Sequence, residues 1–306
     1  MAFDSEKIEE MLERLYEASD EEEIQRAAKA VLKEDPSNPA AKVALWTLKD
    51  EEEALRSVGD LREALAETVR RLGGEEPKGL YDERPLVQTY GEALMHLSSA
   101  SHSLGRLDDA EAYARKLMEF DADEEIFPAR LLLYRTLLDK KDFSAILETY
   151  DQDPLDSPSG AHARAIALIE KDAPEGEIWE AVLDAFSLSP ELPFVILGLE
   201  ALPDEEDQDE EFYYDQIFHE AAYLEGPWTE SDDRLFYLYL PAMVVGRLTG
   251  RLDQDETEEI DEMLDHLPKE KGDLIRNLLT YGGPRPDEPS ELDQWAIGKL
   301  MEILGD

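Results

Sequence analysis

The chain has 306 residues, of which 75 are acidic and 30 basic, giving a net charge of −45, and it contains no cysteine. A surface this acidic repels phosphates and anionic headgroups, which proteins bind through basic patches, so nucleic acid and membrane surfaces are excluded as direct partners. Without cysteine there is no disulfide framework, no thiolate metal site and no thiol nucleophile. The charge excess has two readings: a solvated coat that adapts the chain to high salt or keeps it soluble, and an electrostatic match to a basic partner.

No run approaches the roughly 18 to 20 apolar residues of a bilayer span. The first residues, MAFDSEKIEEMLERLYEAS, are acidic and amphipathic and lack the basic and apolar regions of a secretory signal, so a cytoplasmic protein is expected.

Apolar residues recur at helical spacing almost everywhere, and alternating β-branched runs are nearly missing, so the expected class is all-α. Ile8, Met11, Leu12, Leu15 and Tyr16 form one stripe; Ile24, Ala27, Ala28, Val31 and Leu32 form the next, after a break at Ser19–Asp20. The two predict a helical hairpin. Pro36 and Pro39 end the second helix, because proline disfavours helix at the residue before it and cannot continue one. A third helix starts near Pro39, and a longer helical segment carries Leu55, Val58, Leu61, Leu65, Val69 and Leu72 up to the Gly73-Gly74-Glu75-Glu76-Pro77 break. That break is the expected boundary between an N-terminal set of hairpins, residues 1–76, and a larger helical region, residues 77–306.

Beyond it, GRLDDAEAYARKLMEFD (Gly105 to Asp121) joins a helix from about Pro85 to Leu104 to a second from Asp108 to Phe120. Asp108 and Glu111 have the spacing of a capping box. Leu94, Leu97, Ser98 and Ser101 on the first helix, with Ala110, Ala114 and Leu117 on the second, resemble the large and small positions of a tetratricopeptide unit of about 34 residues. Ser101 and Ala114 stand where that family has aromatics, and Ala122 where it has a closing proline. Ala145 lies 35 positions after Ala110 in the next unit. A third unit pairs Ala161–Ile169 with Ile178–Phe186, and Pro190 follows Ala185 at the family's spacing. GRLD recurs at Gly250, between an apolar helix (Leu235 to Leu248) and an acidic one carrying Ile260, Met263, Leu264 and Leu267.

The middle of the chain, with LLLYRTLLDKKDFSAILETYDQD, ALIEKD and AVLDAFSLSPELPFVILG, is also similar to the helical region shared by suppression-of-tumorigenicity proteins and bacterial relatives of unknown activity, over about residues 121–241. Both resemblances imply one fold, a right-handed α-solenoid of degenerate tetratricopeptide-like hairpins, and neither brings catalytic residues.

Candidate chemical sites are few. Asp253, Asp255 and Thr257 mimic the start of a calcium loop, but the loop's sixth and twelfth positions hold Glu258 and Leu264 where glycine and glutamate are needed. DEEDQDEE, from Asp204, fails the same test. The histidines at 96, 102, 162, 219 and 266 include no pair at the i, i+4 spacing of a helical metal site. No nucleophile elbow or phosphate loop is present, so neither catalysis nor a metal or cofactor is expected.

A solenoid binds through its concave face, lined by the first helix of each hairpin. Its expected partner-binding residues are Met95 and His102, with Glu92, Ser99 and Ser103, from one unit, and Phe127, Arg130 and Tyr134 from the next. A carboxylate clamp, which the family builds from lysine or arginine with asparagine, is not expected, because Arg130 alone suits it. The dense run Phe212, Tyr213, Tyr214, Phe218, Tyr223, Trp228, Phe236, Tyr237 and Tyr239 reads as core at helical spacing. The expected function is a non-catalytic interaction module that binds a peptide or helix of another protein, with a basic partner as the electrostatic match. The alternatives are a helical enzyme or metal-dependent hydrolase with an unrecognised acidic site, and an acidic mimic that captures a basic protein.

Overall fold

The computed structural model describes residues 5–80, 84, 86–124, 126–153, 155–199, 208–252 and 259–305; burial is described from Lys7 onward and, after residue 200, from Gln216. Among the described residues there are seventeen α-helices and no strand. The chain divides into two compact units, Met1–Thr136 and Leu137–Asp306, and the division falls within a helix.

In the first unit, α1 (Ser5–Tyr16) and α2 (Glu21–Glu34) form the expected hairpin. Asp20 ends the break by capping α2, its carboxylate accepting the Glu23 amide at 2.8 Å. Asn38 caps α3 (Pro39–Thr47), and Pro39 occupies its first turn, where a missing N–H costs nothing. The long segment expected next is two helices, α4 (Glu51–Arg56), capped by Asp50, and α5 (Val58–Arg71). They divide at Ser57, whose hydroxyl turns back to the carbonyls of Glu53 and Ala54. After the Gly73–Pro77 break, which lies inside this unit, come α6 (Val87–Ser103) and α7 (Leu107–Phe120). The helices pack largely in chain order: α1 on α2, α2 on α3, α3 on α5 past the short α4, α5 on α6 and α6 on α7, while α4 touches α5 and α6. In addition, α1 touches α3 and α3 touches α6. One core holds Leu15, Ala28, Val31 and Ala41; the next holds Val43, Trp46, Val58, Leu61, Ala93 and Leu97.

The GRLD turns end their helices alike. Gly105 (φ 68°) and Gly250 (φ 81°) are both left-handed, a conformation that costs glycine nothing. The expected capping box at Asp108 is not formed as such. Arg106 occupies the cap position of α7 without a side-chain cap, so Asp108 sits within the first turn, where its charge suits the helix dipole.

α8 (Ala129–Asp139) crosses the division between the units. In the second unit α9 (Phe143–Gln152) packs on α10 (Pro158–Glu170), and α10 on α11 (Glu175–Leu188). Chain-order pairing then gives way. The short α12 (Leu192–Ile196) lies on α13 (Gln208–Thr229), α14 (Asp232–Thr249) touches α10, α11, α12 and α13, and α17 (Pro289–Leu304) packs on both α11 and α14. The smaller α15 (Ile260–Leu264) and α16 (Lys269–Leu279) pack on each other and on α14. The second GRLD contributes more than a turn. Its Arg251 donates to Asp293 on α17 at 2.7 Å and to Glu191 at 3.2 Å, and lies over the Phe194 ring, whereas Arg106 of the first copy is exposed.

The aromatic run expected as core divides. Trp228 is fully buried, and Phe236 and Tyr237 pack on Trp179, but Phe218 is 53% exposed. Phe218 follows Ile217 directly, and neighbouring positions on a helix point to different faces, so only Ile217 reaches the core. The side chains of Phe212, Tyr213 and Tyr214, and the acidic stretches at 204–207 and 253–258, lie outside the described residues.

Candidate functional site

Of the five expected binding residues, the structure leaves two at the surface. Met95 and His102 are half-buried on α6, together with Glu92 and Ser99, and the positions 92, 95, 99 and 102 follow one helix face. Between them Ala93, Leu94, Leu97, Ser98, Ala100 and Ser101 are buried against the neighbouring helices. Small and apolar residues on three sides of α6 thus turn its fourth side outward.

Phe127, Arg130 and Tyr134 are a correction to the expected groove. They are 4%, 1% and 1% exposed, so the folded surface offers none of them to a ligand. Phe127 packs on Phe120, with ring centroids 6.3 Å apart, and lies over Gly91. The Arg130 guanidinium donates to the Ala122 carbonyl at 3.0 Å and pairs with Glu124 at 3.3 Å; its own amide donates to Glu124 at 3.0 Å. Arg130 therefore pins the turn before α8. The missed signal was Glu124, six residues earlier, which supplies the counter-charge that lets an arginine be buried.

Several ionisable groups flank the α6 stripe. Burial pushes the Glu92 carboxyl up, against a hydrogen bond from Gln88, and pushes His96 down. His96 lies four residues after Glu92 and faces Trp46 with ring centroids 5.3 Å apart. Trp46 is fixed in turn by donating from its indole nitrogen to the Ala54 carbonyl at 3.1 Å. The Tyr16 hydroxyl shares a hydrogen bond of 3.4 Å with Thr89, one helical turn before Glu92, and desolvation raises its pKa. The stripe is thus partly dry, and both Glu92 and His96 are biased towards their neutral forms.

Comparison with protein-family models, with curated proteins and with solved structures returns no match. The chemistry of the surface must therefore carry the functional reading. Among the described residues no group of three or more histidine, aspartate and glutamate side chains is arranged around a metal position. The remaining histidines are dispersed. His162 on α10 is fully buried edge-on to Trp228, with its pKa pushed down by burial to about 3, while His219 and His266 are exposed. No helix among the described residues is long and apolar enough to cross a membrane.

Proposed function

We propose that this protein is a non-catalytic interaction module that holds a peptide or helical segment of another protein along the α6 stripe. The observation that carries the reading is that stripe itself: Glu92, Met95, Ser99 and His102 left part-exposed on one face of a helix whose other sides are packed. From Glu92 to His102 it runs about 15 Å at the rise of an α-helix, roughly three turns of a bound helix. Met95 supplies an adaptable apolar contact. Ser99 and His102 supply hydrogen-bonding groups, and Glu92 a carboxyl that can pair with a cation on the ligand. The order of packing from α1 to α7 supports reading the first unit as stacked tetratricopeptide-like hairpins, for which such a face is the binding face.

The net charge of −45 favours a basic ligand, since complementary potentials speed encounter and exclude acidic competitors. Affinity capture with the full chain, at low and at high salt, tests both parts. The wild type should retain a discrete basic partner at low salt and release it at high salt, and Met95→Glu with Ser99→Arg should retain none. Equal capture by the wild type and this variant would remove α6 from the interaction.

A further inference from the structure

At the Glu92 end of the α6 stripe, two helices far apart in the chain place an aromatic ring beside a carboxyl. Tyr16, the last residue of α1, is 50% exposed, and its hydroxyl meets the Thr89 hydroxyl of α6 at 3.4 Å. Glu92 stands one turn beyond Thr89, close enough that its charge helps to raise the Tyr16 pKa. Glu92 is half-buried and accepts a hydrogen bond from Gln88, yet no lysine or arginine among the described residues pairs with it, and none lies over the Tyr16 ring. Elsewhere in this unit Glu34, Asp35 and Glu67 each hold a basic partner. His96, one turn further along α6, faces Trp46 and is held towards its neutral form by burial, so it supplies no cation either.

We infer that Tyr16 and Glu92 form the seat of one arginine side chain on the bound segment. The inference deepens the reading of the α6 stripe as a binding face and rests on it. A half-dry carboxylate is costly to leave charged without a counter-ion, which sets Glu92 apart from the solvated carboxylates of the coat. The exposed ring beside it attracts a cation placed over its face. Arginine suits this pair better than lysine. Its guanidinium is planar and weakly hydrated, so it can stack on the Tyr16 ring while its edge forks onto the Glu92 oxygens, whereas an ammonium must give up a tightly held water shell. An acidic or neutral side chain would leave Glu92 without a counter-charge. Because the seat lies at one end of the stripe, it also sets the register of the segment, which continues along α6 over Met95, Ser99 and His102.

The probe is acetyl-arginine amide, titrated into the full chain at about 0.15 M salt and followed by NMR of labelled tyrosine and glutamate side chains. The Tyr16 and Glu92 signals are assigned from Tyr16→Leu and Glu92→Gln, and the amides of citrulline, an uncharged isostere, and of lysine are the controls. Both signals should shift saturably with the arginine probe, less with lysine and not with citrulline. Binding should weaken at least about tenfold in Glu92→Gln, read at Tyr16, and about threefold in Tyr16→Leu, read at Glu92. Both variants should keep the wild-type circular dichroism, since one removes a charge that burial disfavours and the other changes a half-exposed ring. Shifts that do not saturate, an equal response to citrulline or lysine, or unchanged binding in either variant would overturn the proposal. The binding face itself is judged separately, by capture with Met95→Glu and Ser99→Arg, which leave Tyr16 and Glu92 in place.

Discussion

The Ser98 hydroxyl on α6 donates a hydrogen bond of 3.0 Å to the backbone carbonyl of Ala110 on α7. Both residues are buried, with Ala110 fully enclosed, so the two helices meet here through a hydroxymethyl and a methyl group. A longer side chain at 110 would have to displace α6. Ala110→Arg is expected to destabilise the protein by about 3 kcal/mol or more, from overpacking together with burial of an unpaired charge. Thermal unfolding measures it, and an unchanged midpoint would take Ala110 out of the seam.

Phe127 and Gly91 share one space. A Cβ on Gly91 would stand 2.3 Å from the Phe127 ring and 2.9 Å from that of Phe120. Gly91→Ala should therefore destabilise, although alanine is the better helix former by about 1 kcal/mol. Phe127→Ala should cost about 3 to 5 kcal/mol as a buried aromatic truncation. In the double variant the added methyl enters space the ring has left, so the two costs should not add. Additive losses in urea denaturation would show that the positions do not touch.

How much of this was legible in the sequence depends on the range of the interaction. The α2 and α3 starts were legible from the Ser19–Asp20 break and from Pro39, local signals that act within a few positions, and the structure adds Asp20 and Asn38 as their caps. The tight α6–α7 contact was legible for a similar reason, because Ala110, Ala114 and Ser98 can only be small for a close neighbour. The docking of α17 on α11 and α14 was not legible, since α17 (Pro289–Leu304) lies far along the chain from both α11 (Glu175–Leu188) and α14 (Asp232–Thr249). On α6 the small residues mark the packed sides, and Met95 and His102 are half-buried on the remaining one. At and just before α8 the pattern failed, because an arginine and two aromatics look the same in sequence whether they face a ligand or fill a core. Glu124 and Gly91, which decide the matter, lie outside the helix that carries them.

Asp172 follows α10 in the left-handed region at φ 50°, in a turn closed by the Ala173 amide donating to the Leu168 carbonyl at 3.1 Å. Gly105 takes the same role after α6 without strain. Asp172→Gly should raise stability by about 0.5 to 1 kcal/mol, the relief of the left-handed conformation exceeding the added freedom of the unfolded chain. Gly105→Ala should lower it by a similar amount. The denaturation midpoints should move in opposite directions; a fall for Asp172→Gly would contradict the account.

Arg71 at the end of α5 grips Asp35 with two hydrogen bonds, of 2.6 and 3.0 Å, and Glu67 with one of 2.7 Å. The Arg71 contact holds the Asp35 carboxyl below its ordinary value, and Arg70 and then Arg71 hold Glu67 down at about 2. Both carboxyls are more acidic folded than unfolded. Their contribution is therefore complete above the unfolded pKa of about 4 to 4.5 and is lost as pH falls from there towards 2. Arg71→Gln should cost about 1 to 2 kcal/mol near neutral pH, allowing for solvent screening. The gap between variant and wild type should close as pH falls from about 5 to 2. Using the difference removes the opposite trend of Glu92 and Glu124, whose carboxyls burial raises. A gap that stays constant with pH would mean that the network is not what Arg71 contributes.

The claim that α6 carries the partner is tested most directly by site-specific photo-crosslinking in the source cell, with the reactive side chain at position 99 and, as a control, at exposed position 172. The account predicts a discrete crosslinked product from position 99, lost when Met95→Glu is added, and none from position 172. No product from position 99, or the same product from both positions, would contradict it.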